Sequence, residues 1–470
     1  MMKTKFGILV IIATVVASLC FVGCQEKKPY TFKDGMLRFE EPARGEGQTS
    51  MIGFACEPIE TVRIGIIGMG MRGKGFVRRL SLIEGTEIVA LCELDPEKMK
   101  WGQEMLKKNG RKPAAEYLGE DSWKQMCERD DIDLIYIIVP CHLHADMAIY
   151  AMEHGKHVAS EVMLAKTVKD CWRVVDAAER TRRHCIMLEN CIYDHFELTT
   201  LNMAQKGLFG EIVHAQGGYI HCLDGLWGKF HNYWTLRNRQ TRIGDAYPTH
   251  GLGPLALALN INRGDRMTHL VAMQTDARRG KELAKEFLGS DEFLNPDHAS
   301  ALIRTANGKT ISLQQNVYTQ RPYDRCYQLT GIEGFANKYP IEGLVISEKF
   351  IGEGEKASDH ENLSHHAFVS EKVFKKYMEL YKHPVQKQFQ EKALEIGGHG
   401  GMDYIMDARL IYCLRNGLPL DMDVYDGAAW SCIVELTGVS IINNSMPVAV
   451  PDFTRGDWNK IKGHTFAFAE

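Results

Sequence analysis

The chain has 470 residues, 45% of them hydrophobic and 25% charged, ordinary proportions for a globular protein with room for two domains. Its formal charge of −4 comes from acids and bases interspersed along the sequence with no basic run, which removes the electrostatic reason for a nucleic-acid partner.

Lys3 and Lys5 precede an apolar run from Phe6 to Val22, the charged and hydrophobic regions of an export signal rather than a spanning anchor. The run ends at Phe21-Val22-Gly23-Cys24, where a small residue before a cysteine resembles a bacterial lipobox. The reading is a signal peptide over 1–23 and a lipidated Cys24 as mature N-terminus; the alternative is a plain secretory signal with an incidental cysteine. Two acyl chains tether a soluble body stably, so the expected product is an exported lipoprotein, membrane-anchored on the periplasmic or cell-surface face. The 13 cysteines contain no CxxC pair, so no zinc or redox spacing and no metal is expected. Most read as small buried hydrophobes.

Residues 24–60 mix charge, Gly and Pro without periodicity and read as a tether or leader. From 61 to 188, strand runs alternate with helical patterns: Val62–Ile67, Ile88–Cys92, Leu134–Val139, His157–Ser160 and Cys185–Leu188, with helices near Arg72–Ser81, Pro96–Lys108, Ala145–Glu153 and Lys166–Thr181. That alternation predicts an α/β fold, a doubly wound parallel sheet. From 189 to 470 strand-like runs follow one another at Ile212–His221, His269–Thr275, Ala299–Thr305, Thr310–Val317 and Tyr327–Ile332, with helices near His366–Leu380, Met402–Arg415 and Tyr425–Ile441. An α+β second domain, sheet-rich and substrate-binding, fits that order.

The strand Val62–Ile67 runs directly into Gly68-Met69-Gly70-Met71-Arg72-Gly73 and then a helix, which is G-x-G-x-x-G in its strand–turn–helix setting. The glycines allow a tight turn, close backbone approach to a pyrophosphate and helix–strand packing, and the helix N-terminus offers N–H groups to phosphate. Glu93 ends the next strand, placed to accept from both adenosine-ribose hydroxyls, so NAD is favoured over NADP, with Arg72 partly offsetting.

Val139-Pro140, His144, and Gly155-Lys156-His157-Val158 followed by Glu161 resemble the Gfo/Idh/MocA oxidoreductases over about residues 62 to 450. That resemblance implies a Rossmann domain followed by an open-faced α/β sheet domain. In ordinary dehydrogenases of that family the strand-ending glutamate continues Lys-Pro, and the lysine helps move the substrate hydroxyl proton; here the triplet is Glu161-Val162-Met163. Further motifs are Leu188 to Tyr193, Gly217-Gly218-Tyr219, Gly244 to Gly251, Arg321-Pro322-Tyr323 and Gly397 to Asp403. Together these resemble glycoside hydrolase family 109, the NAD-dependent α-N-acetylgalactosaminidases.

The resemblance implies hydrolysis of a terminal N-acetylgalactosamine or related sugar without net redox: oxidation at C3, elimination of the aglycone across C1–C2, water addition and re-reduction. It places His250 at the substrate, where a neutral imidazole suits removal of the C3 hydroxyl proton, and gives His399 a role at the leaving group or attacking water; Tyr193 is the candidate for the C2 proton. Tyr219, Thr235, Tyr247, Pro248, Thr249, His250 and Tyr323 would contact the sugar. Gly68, Gly70, Met71, Arg72, Gly73, Glu93, His142, His144, Glu161, Val162, Asn190 and Tyr247 would surround the cofactor, His142 and His144 chiefly by anchoring backbone. Two positions depart from the family pattern: Trp234 is followed by Thr235 where arginine is usual, and Ala246 replaces a larger apolar residue. The expected partners are a glycan or glycoconjugate and, through Cys24, a membrane, with a homo-oligomer open. The competing reading is a net NAD-dependent sugar oxidoreductase.

Overall fold

The computed structural model describes residues 28–350 and 367–469, so the expected signal peptide over 1–23 and Cys24 lie outside the described residues. Among the described residues no helix is long and apolar enough to cross a membrane.

A hairpin of Tyr30–Lys33 (β1) and Met36–Phe39 (β2) comes first. Six strands then form one parallel sheet: Val62–Ile67 (β3), Thr86–Glu93 (β4), Ala115–Leu118 (β5), Leu134–Ile137 (β6), His157–Ser160 (β7) and Cys185–Met187 (β8), in the order β5-β4-β3-β6-β7-β8. Every residue of β6, β7 and β8 is buried, as expected of strands covered by helices on both faces. The connecting helices start on local signals. Pro96 opens Pro96–Lys108 beneath Asp95, which accepts from Glu97 N at 2.9 Å, and Thr167 accepts from Asp170 N at 3.0 Å to start Val168–Thr181. The chain reverses direction across the sheet beside β3, so the glycine turn that follows β3 lies at the topological switch point where such sheets bind ligands.

The second domain is a mixed sheet completed by Ile212–Ile220 (β9), Met267–Gln274 (β10), Ala299–Thr305 (β11), Thr310–Asn316 (β12), Gln328–Gly331 (β13), Gly334–Asn337 (β14), Gly343–Ile346 (β15) and Val448–Ala449 (β16). Its order is β1-β2-β16-β10-β11-β12-β9-β13-β14-β15. β11 alternates buried and exposed residue by residue, because helices such as Thr249–Ala258 and Ile433–Ile442 cover only one face. The whole is an α/β fold in two parts, as the alternation predicted.

Residues 28–60 are not a loose leader. Leu37 and Phe39 are buried, and Leu37 N donates to Pro447 O at 2.9 Å, so the hairpin extends the ten-stranded sheet. Arg44 then pairs with Glu179 at 3.0 Å on helix Val168–Thr181, and Met51 N donates to the Tyr425 hydroxyl at 2.9 Å. The segment is a strap across both sheets. Two inward residues in a four-residue strand are too short a pattern to signal it, and its partners lie hundreds of residues away. The expected helix Tyr425–Ile441 is also two, Val424–Ser431 and Ile433–Ile442, parted at Cys432. The eleven described cysteines are all unpaired and only Cys56 and Cys222 are not buried, which suits interior filling.

Candidate active site

The glycine turn is shaped by contact. A Cβ at Gly68 would sit 2.3 Å from Ile138 O and one at Gly73 2.1 Å from Gly68 O, whereas at Gly70 it would meet nothing within 4 Å. Two glycines let backbone touch backbone, and the third faces open space into which a pyrophosphate can settle at the N-terminus of helix Gly73–Leu80. Glu93 Oε2 accepts from Met69 N at 2.5 Å and Oε1 from Leu94 N at 2.8 Å, which fixes the carboxylate at the tip of β4 beside the turn. These residues fit a dinucleotide. Met71 and His142 are exposed at the rim of the same sheet edge.

Arg72 joins the turn to the second domain. Its Nε donates to Glu161 Oε1 at 3.1 Å, and its Nη1 lies 3.6 Å from Asp403 Oδ2 and 3.2 Å from His399 Nδ1. Asp403 also accepts from Asn190 Nδ2 at 2.7 Å and contacts His399 Nδ1 at 2.9 Å. Burial opposes ionisation of Asp403, but His399, Arg72 and Arg79 outweigh it, and the carboxyl sits well below its usual range. Val162 N donates to the other oxygen of Glu161 at 3.0 Å.

The acid–base group with the most complete support is His250. Its Nδ1 lies 2.6 Å from Glu189 Oε1, and its Nε2 faces the Tyr247 hydroxyl at 3.4 Å. Glu189 is fully buried and also accepts from Cys191 N at 3.1 Å. Burial raises its carboxyl, yet the His250 ring more than reverses this and the net shift is downward. A carboxylate on Nδ1 leaves Nε2 as the basic nitrogen, the division of labour a proton acceptor requires. Pro248 and Thr249 begin the helix that carries His250. Close approach makes the placement possible: a Cβ at Gly217 would lie 2.3 Å from Gly251 O, so β9 and the first turn of that helix meet through backbone.

That contact brings an aromatic wall to His250. Ring centroids lie 5.3 Å apart for Tyr219 and His250, 4.9 Å for Tyr247 and His250, and 4.8 Å for Tyr219 and Tyr247. Tyr323 stands 6.4 Å from Tyr219, and His221 5.1 Å from Tyr323. The Tyr219 hydroxyl is 2.8 Å from His221 Nδ1. Burial, then the charges of His250 and His399, hold His221 below its ordinary value, which keeps it a neutral acceptor facing both. Buried Ala246 precedes Tyr247. Thr235 lies one residue past Trp234, which packs on Cys141 and Met163, and its Oγ1 is buried without a partner.

One assignment fails. Tyr193 is 1% exposed, and its hydroxyl donates to Asp421 Oδ2 at 3.0 Å, an acid already paired with Arg409. Burial and Asp421 push the phenol far above its ordinary value, so Tyr193 belongs to the core and not to the sugar pocket. His144 anchors backbone as expected: it is fully buried, with ring nitrogens 2.7 Å from Met163 O and 2.8 Å from Val139 O, and ties two loops together beneath the cofactor edge. Sequence reasoning gave no role to Glu189, His221 or Asp403. His221 could have been found, since it is two residues past Tyr219 on one face of a strand.

The comparisons with known proteins agree with this geometry. Residues 62–189 match the family model "Oxidoreductase family, NAD-binding Rossmann fold", and residues 193–460 match "Glycosyl hydrolase 109, C-terminal domain". A glycosyl hydrolase family 109 protein of Porphyromonas gingivalis is 54% identical over 92% of this chain and 93% of its own, and one of Bacteroides thetaiotaomicron is 52% identical over the same shares. Among solved structures, a levoglucosan dehydrogenase in complex with NADH superposes with a TM-score of 0.62 at 17% identity, covering 83% of this chain and all of that one, a likeness of fold. With the turn at Gly68 and the pocket around His250 in place, these matches show that the chain belongs to glycosyl hydrolase family 109, a glycosidase family whose C-terminal domain here follows an NAD-binding Rossmann domain.

Proposed function

We propose that this protein removes terminal N-acetylgalactosamine, or a closely related sugar, from glycoconjugates by oxidation at C3, elimination, hydration and re-reduction. The observation that carries the reading is the Glu189–His250 pair, a buried carboxylate on Nδ1 that leaves Nε2 able to accept a proton, while Glu161 is followed by Val162 and Met163 rather than a lysine. NAD, when bound at the glycine turn, supplies a reversible hydride acceptor for sugar C3. His250 Nε2 takes the C3 hydroxyl proton, and Glu189 stabilises the imidazolium that forms. A carbonyl at C3 makes the C2 proton acidic. Tyr219, in place of Tyr193, receives that proton on its phenol oxygen as its own proton passes to His221 Nδ1, 2.8 Å away, so no free phenolate is required. That relay suits a phenol whose pKa burial and Tyr323 raise well above ordinary. His399, half exposed and backed by Asp403, serves the departing oxygen and the water that replaces it. Tyr247 and Tyr323 pack on the sugar ring.

The test is a panel of chromogenic glycosides in deuterated water with NAD-loaded protein. Aglycone release with deuterium at C2 and no accumulation of NADH is expected. Release without C2 exchange refutes the elimination route, and a steady rise of NADH with sugar establishes a net oxidoreductase instead.

A further inference from the structure

The tyrosine that ends the aromatic wall is engaged from behind. Ile220, the last residue of β9, and Asp324 form an antiparallel bridge in which each N–H donates to the other's carbonyl, at 2.9 and 3.0 Å. Residues flanking such a bridge face the same way, so Tyr219 and His221 share a face with Arg325 and Tyr323 across from them. The ring distances follow from this register: 5.1 Å from Tyr323 to the His221 opposite it, and 6.4 Å to Tyr219. Arg325, opposite Tyr219, therefore belongs to the layer that walls the His250 pocket, although it is itself buried.

The Arg325 guanidinium is shared. Its Nη2 donates to Asp194 Oδ2 at 2.8 Å and to Glu197 Oε1 at 2.5 Å, and Lys338 Nζ donates to the other oxygen of Glu197 at 2.7 Å, so helix His195–Gln205 and its cap hold the cation. Its Nη1 donates to the Tyr323 hydroxyl at 3.3 Å. Ion pairing alone favours a grip on one carboxylate through two nitrogens. Here both carboxylates take the same nitrogen, Nε is buried without a partner, and the remaining arm meets the phenol. Tyr323 is 41% exposed, and among the described residues nothing accepts its proton. Partial burial, opposed by Arg325, pushes the phenol up to about 12, so it stays protonated at neutral pH. A phenol oxygen that accepts from an arginine is polarised, and its O–H turns away from the guanidinium. Tyr219 and Tyr247 differ, since their hydroxyls already face His221 Nδ1 and His250 Nε2.

We propose that Arg325 is a positioning residue that fixes the Tyr323 hydroxyl as a hydrogen-bond donor to an oxygen of the bound sugar. It acts through Tyr323 and touches no reacting atom, and the proposal rests on the reading of this pocket as a sugar site. Arg325→Lys keeps a cation for Asp194 and Glu197 but has no second arm for the phenol. The test is calorimetry of N-acetylgalactosamine binding to the NAD-loaded protein, with steady-state kinetics beside it. Tyr323→Phe should weaken binding about tenfold and Arg325→Lys about three- to fivefold, with KM rising in step and kcat held within about twofold. In the Tyr323→Phe background, Arg325→Lys should have no further effect on affinity. Thermal melts establish that each variant is folded. Arg325→Gln gives a second route round the same cycle, and Tyr323→Phe, which leaves the ion cluster whole, must weaken binding in any case. A merely structural arginine would cost the same in both backgrounds; that additivity, or an affinity untouched by Tyr323→Phe or by Arg325→Lys, overturns the proposal. Because affinity is read whether or not a bond is cut, the expected cycle without cleavage counts against the glycosidase reading alone, and cleavage with additive losses counts against the role of Arg325 alone.

Discussion

Glu189 has no exposed surface, and the group that keeps it ionised is the imidazole 2.6 Å away. Replacing it by glutamine preserves shape but removes the charge that stabilises protonated His250 and selects its tautomer. Glu189→Gln should lower kcat by about 10²–10⁴-fold while leaving sugar affinity nearly intact. Steady-state kinetics beside a binding isotherm decide this, since equal losses in both would mean that the pocket had collapsed. The two tyrosines give a sharper contrast. Tyr219→Phe removes the relay to His221 and should cost on the order of 10²-fold in kcat with the fold unharmed. Tyr193→Phe should leave kcat where it was and lower stability by about 1 kcal/mol in urea unfolding, because only its bond to Asp421 is lost. The opposite pattern would return Tyr193 to the chemistry.

The strands β7 and β8 carry a pH dependence of their own. His157 opens β7, and its Nδ1 accepts from His184 N at 2.9 Å. Burial, then Arg183, hold His157 down to about 4 from an ordinary 6.5. The folded state therefore favours the neutral ring. Its contribution is fully present above about 6.5 and is lost as the pH falls towards 4, a decline of the order of 3 kcal/mol in unfolding free energy. Urea midpoints taken at steps between those limits should fall most steeply there, and a flat profile would contradict the buried neutral ring. Such strands were also the most legible parts of the sequence. Val62–Ile67, His157–Ser160 and Ala299–Thr305 were readable to the residue because apolar runs and alternation are local properties. Helix Thr249–Ala258 was not, since Gly251, Gly253 and Pro254 read as breakers. Their reason is tertiary: a Cβ at Gly253 would come within 2.9 Å of Glu189 Cγ. The glycine turn, His250 and the aromatic wall were legible as motifs. The part played by Glu189 was not, because it depends on a partner 61 residues later, and Tyr193 misled because Asp421 stands 228 residues beyond it.

Across the molecule, the strap of residues 28–60 ties both sheets to the end of the chain. Arg44 contacts Asp457 at 3.1 Å as well as Glu179, Arg455 Nε donates to Pro42 O at 2.9 Å, and Asp452 N donates to Glu41 at 3.2 Å. We propose that Cys24, a few residues ahead of β1, carries the lipid that holds this body at a membrane. Wild-type protein should take up labelled palmitate and fractionate with membranes, and Cys24→Ser should do neither; membrane association surviving that substitution would defeat the proposal. The strap also governs when the protein can be finished. Its bonds to Asp452, Thr454 and Arg455 join residues more than 400 positions apart, so they close a long loop and must wait for those late residues to be synthesised. Residues 28–60 can dock on helix Val168–Thr181 through Arg44 as soon as Glu179 is made, but the strap is fastened at its other end only once residues 452–457 have left the ribosome.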